Sequence, residues 1–186
     1  MKEEVYKALE VLKKGGIILY PTDTVWGIGC DAGNFEAVKK IYALKQREET
    51  KFMICLVSGL QMLEKHVSEV PQMAYELMDY AVKPTTIIYD APFNVAENLI
   101  AEDNSLAIRV TEDEFCRSLI RKLHRPLVST SANLSGEKTP MNFEEISDVI
   151  LKGVDYVVNL HRDKKGANPS AIIKLKNDGS VKVIRE

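Results

Sequence analysis

Apolar residues recur along this chain with two periods, and the switches between them mark out its elements. Val5, Ala8, Leu9 and Leu12 keep a helical spacing that Gly15-Gly16 ends. Ile17-Ile18-Leu19-Tyr20 reads as a buried strand stopped by Pro21, with a loop running on through Ala32. Asn34 stands where it can cap a helix whose apolar face carries Phe35, Val38, Ile41 and Tyr42. An apolar run at 52–57 is followed by helical patterns at 60–66 and 73–80. The β-branched content of 85–89 and 106–110 predicts strands. A helix over 113–123 groups Phe115, Leu119, Ile120 and Leu123, after which Pro126-Leu127-Val128 leads as a strand into a serine-rich loop. Phe143, Ile146, Val149 and Ile150 form one more amphipathic stripe. Three strands close the pattern at 156–160, 171–175 and 181–184, the last two joined by the hairpin signal Asn177-Asp178-Gly179. Helices and strands alternate early and strands pair locally at the end. The pattern predicts an α/β fold, a twisted mixed β-sheet with helices packed on it.

At 186 residues the chain is expected to form one domain, 1–186, with a substantial core. A hydrophobic share of 45% against 28% charged residues excludes wholesale disorder. The net charge of −2 argues against blanket nucleic-acid binding and leaves room for a local basic patch. Cys30, Cys55 and Cys116 lie far apart and fit no metal-ligand spacing, as expected of reduced, buried residues in a cytoplasmic protein. No apolar run approaches the ~18 residues of a membrane span, so no membrane partner is expected.

Three segments carry residue choices that packing alone does not demand. The first runs from Leu127 to Gly136 and holds four hydroxyls, Ser129, Thr130, Ser131 and Ser135, with the Asn133 amide. Short hydroxyls and an amide at the carboxyl end of a strand suit phosphate or carboxylate oxygens, and equally a polar surface turn. The second, from Pro21 to Ala32, sets Thr22, Thr24 and Trp26 beside glycines that permit close backbone approach. It lacks the Gly-Lys-Ser/Thr ending of a Walker loop, and a plain strand-to-helix connection with Trp26 in the core explains it as well. The third is Lys45-Gln46-Arg47 with Lys51. Its cations either complement a helix C-terminus or clamp phosphate, Arg47 as a planar fork and Lys45 and Lys51 as point charges, and spacing does not decide between them. His66, His124 and His161 fall in no nucleophile–base motif and read as surface or capping residues. No metal site is expected from His or Cys spacing. Cations and hydroxyls without a nucleophile fit nucleotide chemistry, where positioning and charge stabilisation do the catalysis. The polar segments at 137–140 and 162–169 would border such a site as mobile loops.

Taken together these segments resemble the YrdC family, the threonylcarbamoyl-adenylate synthases. Pro21-Thr22-Asp23-Thr24-Val25-Trp26-Gly27 looks like the family's opening motif, Lys45-Gln46-Arg47 like its Lys-x-Arg and Ser131-Ala132-Asn133 like its Ser-x-Asn. Ala107-Ile108-Arg109-Val110, Asn168-Pro169-Ser170 and Val183-Ile184-Arg185 follow in the family's order. The resemblance implies a mixed sheet around a concave cleft. It implies a reaction in which L-threonine, bicarbonate and ATP, with Mg2+ on the phosphates, give threonylcarbamoyl-AMP and pyrophosphate. The adenylate would pass to a threonylcarbamoyl transferase that modifies tRNA. It also implies the residues: Thr24, Arg109 and Ser170 for threonine; Arg47, Lys51, Ser105, Ser129, Ser131, Asn133 and Arg185 for the nucleotide; Lys45 and Arg47 for charge stabilisation in catalysis. The chain resembles the short, one-domain members and departs from the usual pattern at Trp26, Glu48, Phe52, 82–86 and Ala171. A competing expectation is a tRNA or double-stranded RNA module using Arg117, Arg121, Lys122 and Arg125 on one helix and Arg162, Lys164 and Lys165 on a loop.

Overall fold

A computed structural model of the protein describes residues 1–46 and 53–186. Its described strands are β1 (Ile18–Tyr20), β2 (Gly27–Gly29), β3 (Ile54–Val57), β4 (Thr85–Asp90), β5 (Ser105–Val110), β6 (Leu127–Ser131), β7 (Tyr156–Val157), β8 (Ala171–Leu175) and β9 (Val181–Arg185). They join in one mixed sheet ordered β7-β1-β2-β6-β3-β5-β4-β8-β9. The α-helices are α1 (Lys2–Lys13), α2 (Phe35–Lys45), α3 (Leu60–Leu63), α4 (Gln72–Tyr80), α5 (Glu114–Leu123) and α6 (Asp148–Gly153).

The period-2 alternation of each strand separates two cores. Leu19, Ile28, Cys55, Val57, Ile108 and Val128 point to one face, where α2 contributes Val38, Ile41 and Tyr42. Ile18, Tyr20, Leu56 and Leu127 point to the other, under Val5, Leu9 and Leu12 of α1 and Phe115, Leu119 and Ile120 of α5. Strand registers carry this second face onward: Leu56 pairs with Arg109 and Leu127, Ile54 with Ala107 and Ser129, Ile88 with Ala107 and Lys174. Towards β4, β8 and β9 the same face bears serines and cations among isoleucines. It lies beyond α1 and α5, and there the cavity opens.

Asn34 caps α2 as expected, its Oδ1 accepting from the Ala37 N–H at 3.0 Å. Asp113 caps α5 in the same way through the Cys116 N–H at 2.8 Å. In the β8–β9 turn Gly179 takes the left-handed conformation, φ +84°, that the Asn-Asp-Gly signal anticipates. The three cysteines are free and buried.

Five expectations are corrected. The loop read through Ala32 contains β2, held between β1 and β6. A Cβ at Gly29 would sit 2.3 Å from the Val128 carbonyl oxygen, so close strand packing demands the glycine that hides the strand signal. The stripe from Phe143 to Ile150 is a 3-10 turn (Phe143–Glu145) followed by α6, because Ser147 takes extended backbone and starts a new helix. The strand expected at 156–160 is the two-residue β7, and the helical pattern at 60–66 ends at Leu63. His66 is buried, with Nδ1 3.2 Å from the Phe93 carbonyl, and burial holds its pKa below the ordinary histidine value.

Helix α1 is tied to the sheet through Glu4. Its Oε2 accepts from Tyr156 Oη at 2.7 Å and from the Asn159 N–H at 2.6 Å, with Lys7 at 3.3 Å from Oε1. Burial pushes this carboxyl up, but the bonds from Tyr156, Asn159 and Lys7 outweigh it and leave the pKa below the usual glutamate value. A lowered acid stabilises the fold above its unfolded pKa, and that stability is lost as pH falls through the folded value. Glu4→Gln is therefore expected to cost about 1–3 kcal/mol near pH 7, with the deficit shrinking below about pH 4, as checked by urea unfolding at both pH values.

Candidate functional site

The cavity has a volume of about 620 Å³. Its floor is apolar, with Ile54, Ile88, Ala107 and Ile172, and Ile184 stands at its side. Around this floor Thr24, Ser105, Arg109, Ser129, Ser131, Ser170 and Arg185 all line the cavity, seven of the residues expected from the sequence. They arrive from β5, β6 and β9, from the loop after β1 and from the residue before β8. Alternation puts Ser105, Ala107 and Arg109 on one side of β5.

Arg109 is 4% exposed. Its Nη2 donates to Asp23 Oδ1 at 2.9 Å, while Nε is buried with no acceptor. An unmet donor of this kind costs free energy unless a ligand accepts from it. Burial pushes the Asp23 carboxyl above its usual range, against the pull of Arg109. Thr22 and Thr24 flank Asp23. The Thr22 hydroxyl donates to the Val25 carbonyl at 2.7 Å and accepts the Thr24 N–H at 3.0 Å. With the proton of Thr22 committed, the 3.0 Å contact between the two hydroxyls has Thr24 as donor. Thr24 Oγ1 thus keeps lone pairs for a hydrogen-bond donor in the cavity.

Ser170 sits opposite, its Oγ 2.8 Å from Thr86 Oγ1. Its carbonyl takes a fork from Arg185, Nε at 2.9 Å and Nη2 at 2.8 Å. Burial, reinforced by the like charge of Arg109, depresses the Arg185 pKa. Ser105 Oγ donates to Asp103 at 2.5 Å, and Asp103 also pairs with Lys174. The bond from Lys174 and then that from Ser105 hold the Asp103 carboxyl below its ordinary value.

Lys45 and Asn133 stand behind the wall. Lys45 is 1% exposed, and its ammonium donates to the carbonyls of Ser131 and Asn133, each at 2.5 Å. Its own carbonyl accepts from the Ser135 N–H at 2.9 Å. The Asn133 amide donates to the carbonyls of Leu134 and Glu137, at 2.8 and 2.9 Å. Both residues hold the serine-rich loop in shape. Arg47 and Lys51 lie outside the described residues, as do the departures at Glu48 and Phe52.

Trp26 belongs to the core, 3% exposed with its ring 4.9 Å from that of Phe143. Both loops expected to border the site do so, through Thr139 and Pro169. The second is anchored: Gly166 N–H bonds the Met141 carbonyl at 2.5 Å and Ala167 N–H the Thr24 carbonyl at 2.6 Å.

A fold with this cavity has known relatives. The Sua5/YciO/YrdC family model, described as telomere recombination, matches residues 10–186. The chain belongs to this family. A Methanocaldococcus jannaschii protein carrying the name threonylcarbamoyl-AMP synthase is 35% identical over 98% of this chain and 87% of its own. E. coli YciO is 27% identical with a TM-score of 0.86, covering all of this chain and 90% of that one. P. abyssi Sua5, solved with L-threonine, is 23% identical with a TM-score of 0.83 over 94% of this chain. The chain spans about half, 52%, of that Sua5.

Within the Sua5/YciO/YrdC fold, sequence reasoning missed Asp23, Thr86, Lys174 and Lys182. Asp23 lay between two threonines already singled out, but its partner Arg109 is 86 positions away in sequence. Lys174 and Lys182 face each other across the β8–β9 hairpin and line the cavity, a pairing visible only once the register is known. Among the described residues no group of His, Cys, Asp and Glu could hold a metal, and no helix is long and apolar enough to cross a membrane.

Proposed function

We propose that this protein is a threonylcarbamoyl-AMP synthase, joining L-threonine, bicarbonate and ATP into threonylcarbamoyl-adenylate and pyrophosphate. The observation that supports the reading is that the buried Arg109, whose Nε–H has no acceptor, lines one cavity together with Thr24 and Ser170. A free amino acid offers a carboxylate for the guanidinium and an amine for the lone pairs of Thr24 Oγ1. The cationic side of the cavity, with Arg185, Lys174 and Lys182, supplies positive potential for a triphosphate, and the isoleucine floor a surface for a base.

The chemistry follows from placement. Threonine's amine attacks carbon dioxide and gives up a proton, or attacks bicarbonate with loss of water, and the resulting carbamate is kept from water by the apolar floor. A carbamate oxygen then attacks the α-phosphate in line, the bond to the β-phosphate oxygen breaks, and pyrophosphate leaves with the electron pair. The backbone of Ser131-Ala132-Asn133, held by Lys45, keeps the hydroxyls of Ser129 and Ser131 at the cavity wall to donate to phosphate oxygens. Arg47 and Lys51 would add charge from the neighbouring segment. Magnesium would arrive on ATP: the described lining offers no carboxylate, so its donors do not fit a protein-held ion.

The adenylate would pass to a tRNA-modifying transferase. Direct RNA binding has less support. Lys122 is engaged over the Tyr6 ring, 4.6 Å from its centroid, and Arg162 over that of Phe143 at 4.6 Å. The test of the synthase reading is pyrophosphate release from ATP, magnesium and bicarbonate with and without L-threonine. Threonine-dependent release with the mass of threonylcarbamoyl-AMP is expected; release indifferent to threonine refutes it.

A further inference from the structure

We propose that Asp23 is a positioning residue for the amino-acid site, holding the Arg109 guanidinium in the orientation that receives the substrate carboxylate. The inference rests on the synthase reading and gives a role to a residue outside the substrate-binding set.

Arg109 lines the large cavity, whereas Asp23 lines a separate pocket of about 160 Å³ on the other side of the 22–26 loop, with Asp113, Lys164 and Lys165. The ion pair thus spans the wall between two spaces. The carboxylate engages Nη2 from behind, and Nε is left buried and unmatched. An arginine side chain has several freely turning bonds, and a planar fork binds a carboxylate in two-point fashion only if its plane is fixed. Asp23 supplies the fixed point because it is itself fixed. The flanking Thr22 and Thr24 close a turn through the Val25 carbonyl, and the Ala167 N–H pins the Thr24 carbonyl at 2.6 Å. An acid on the ligand side of Arg109 would repel the substrate carboxylate. From the far side it orients the guanidinium and leaves the cavity face open.

The test compares Asp23→Ala, which removes the acceptor, with Asp23→Asn, which keeps an amide oxygen where Oδ1 stands. Asp23→Ala is expected to raise the threonine KM by roughly ten- to a hundredfold, with the ATP KM within about twofold of the wild type. Asp23→Asn is expected to recover most of the loss. In the substrate-free protein the Arg109 Nε–H resonance, assigned by its absence from Arg109→Lys, is expected to shift and broaden in Asp23→Ala. A threonine KM unchanged in Asp23→Ala, a parallel rise in both KM values, or no recovery in Asp23→Asn overturns the proposal. So does an unmoved Arg109 resonance, whatever the substrate. Absence of threonine-dependent turnover in the wild type is a separate outcome that sinks the synthase reading, while the resonance still reports whether Asp23 holds Arg109.

Discussion

Arg109→Ala is expected to raise the threonine KM on the order of a hundredfold or more, while ATP binding stays within about threefold. In the proposed site the guanidinium presents a buried donor to the threonine carboxylate, and among the described residues the neighbouring Arg185 is committed to the Ser170 carbonyl. Separate titrations of threonine and a non-hydrolysable ATP analogue check the split; equal weakening of both would remove Arg109 from the amino-acid site. The same substitution leaves the Asp23 carboxyl without its partner, at an expected stability cost of about 2 kcal/mol near neutral pH. Burial already raises this carboxyl, and a raised acid contributes stability below its unfolded pKa that is lost as pH rises through the folded one. Removing the guanidinium moves it further up. The deficit of Arg109→Ala relative to the wild type should therefore shrink as pH falls and the carboxyl takes up its proton. Thermal melts across the acid range test this sign. Arg109→Lys keeps the charge without the planar fork and is expected to recover stability better than threonine binding.

Lys45→Met is expected to lower kcat/KM on the order of a hundredfold and stability by about 2–4 kcal/mol. The methionine has the length to fill the space but takes the ammonium away from the carbonyls of Ser131 and Asn133, of which Ser131 keeps the Asn133 N–H at 2.9 Å. Two charge-assisted bonds lost together explain the stability term, and relaxation of the loop carrying Ser129 and Ser131 explains the activity term. Loss of turnover with an unaltered melting temperature would instead give Lys45 a direct role on the phosphates.

How much of this was legible beforehand differs by element. Long periodic segments such as α1, α5 and β8 follow directly from their apolar spacing, and the caps at Asn34 and Asp113 set two helix starts. β2 was hidden because Gly27 and Gly29 are poor strand formers locally and are required by neighbours about 100 positions away, Ser129 and Val128. The split of the 143–150 stripe depended on the backbone of Ser147, which hydrophobic spacing does not encode. At the site, residue types were readable and their sides were not. Lys45 shares a motif with Arg47, yet its ammonium turns inward to carbonyls. Asp23 looked like filler between two threonines until Arg109, 86 positions on, came within hydrogen-bond reach.

The strand order also bears on how the protein acquires affinity for its ligands. Thr24, Arg109, Ser129 and Ser170 come from segments that meet only after β3, β5 and β6 have paired across long stretches of chain. Pairing of this kind closes large loops before any contact rewards it, which slows folding. No partly assembled sheet can hold the ligand set, so binding energy is coupled to global unfolding rather than to local opening. Bound ligands then act as a brake on the whole molecule's unfolding, and under the proposed function threonine and ATP would protect a population of the protein that their dilution would expose to proteolysis.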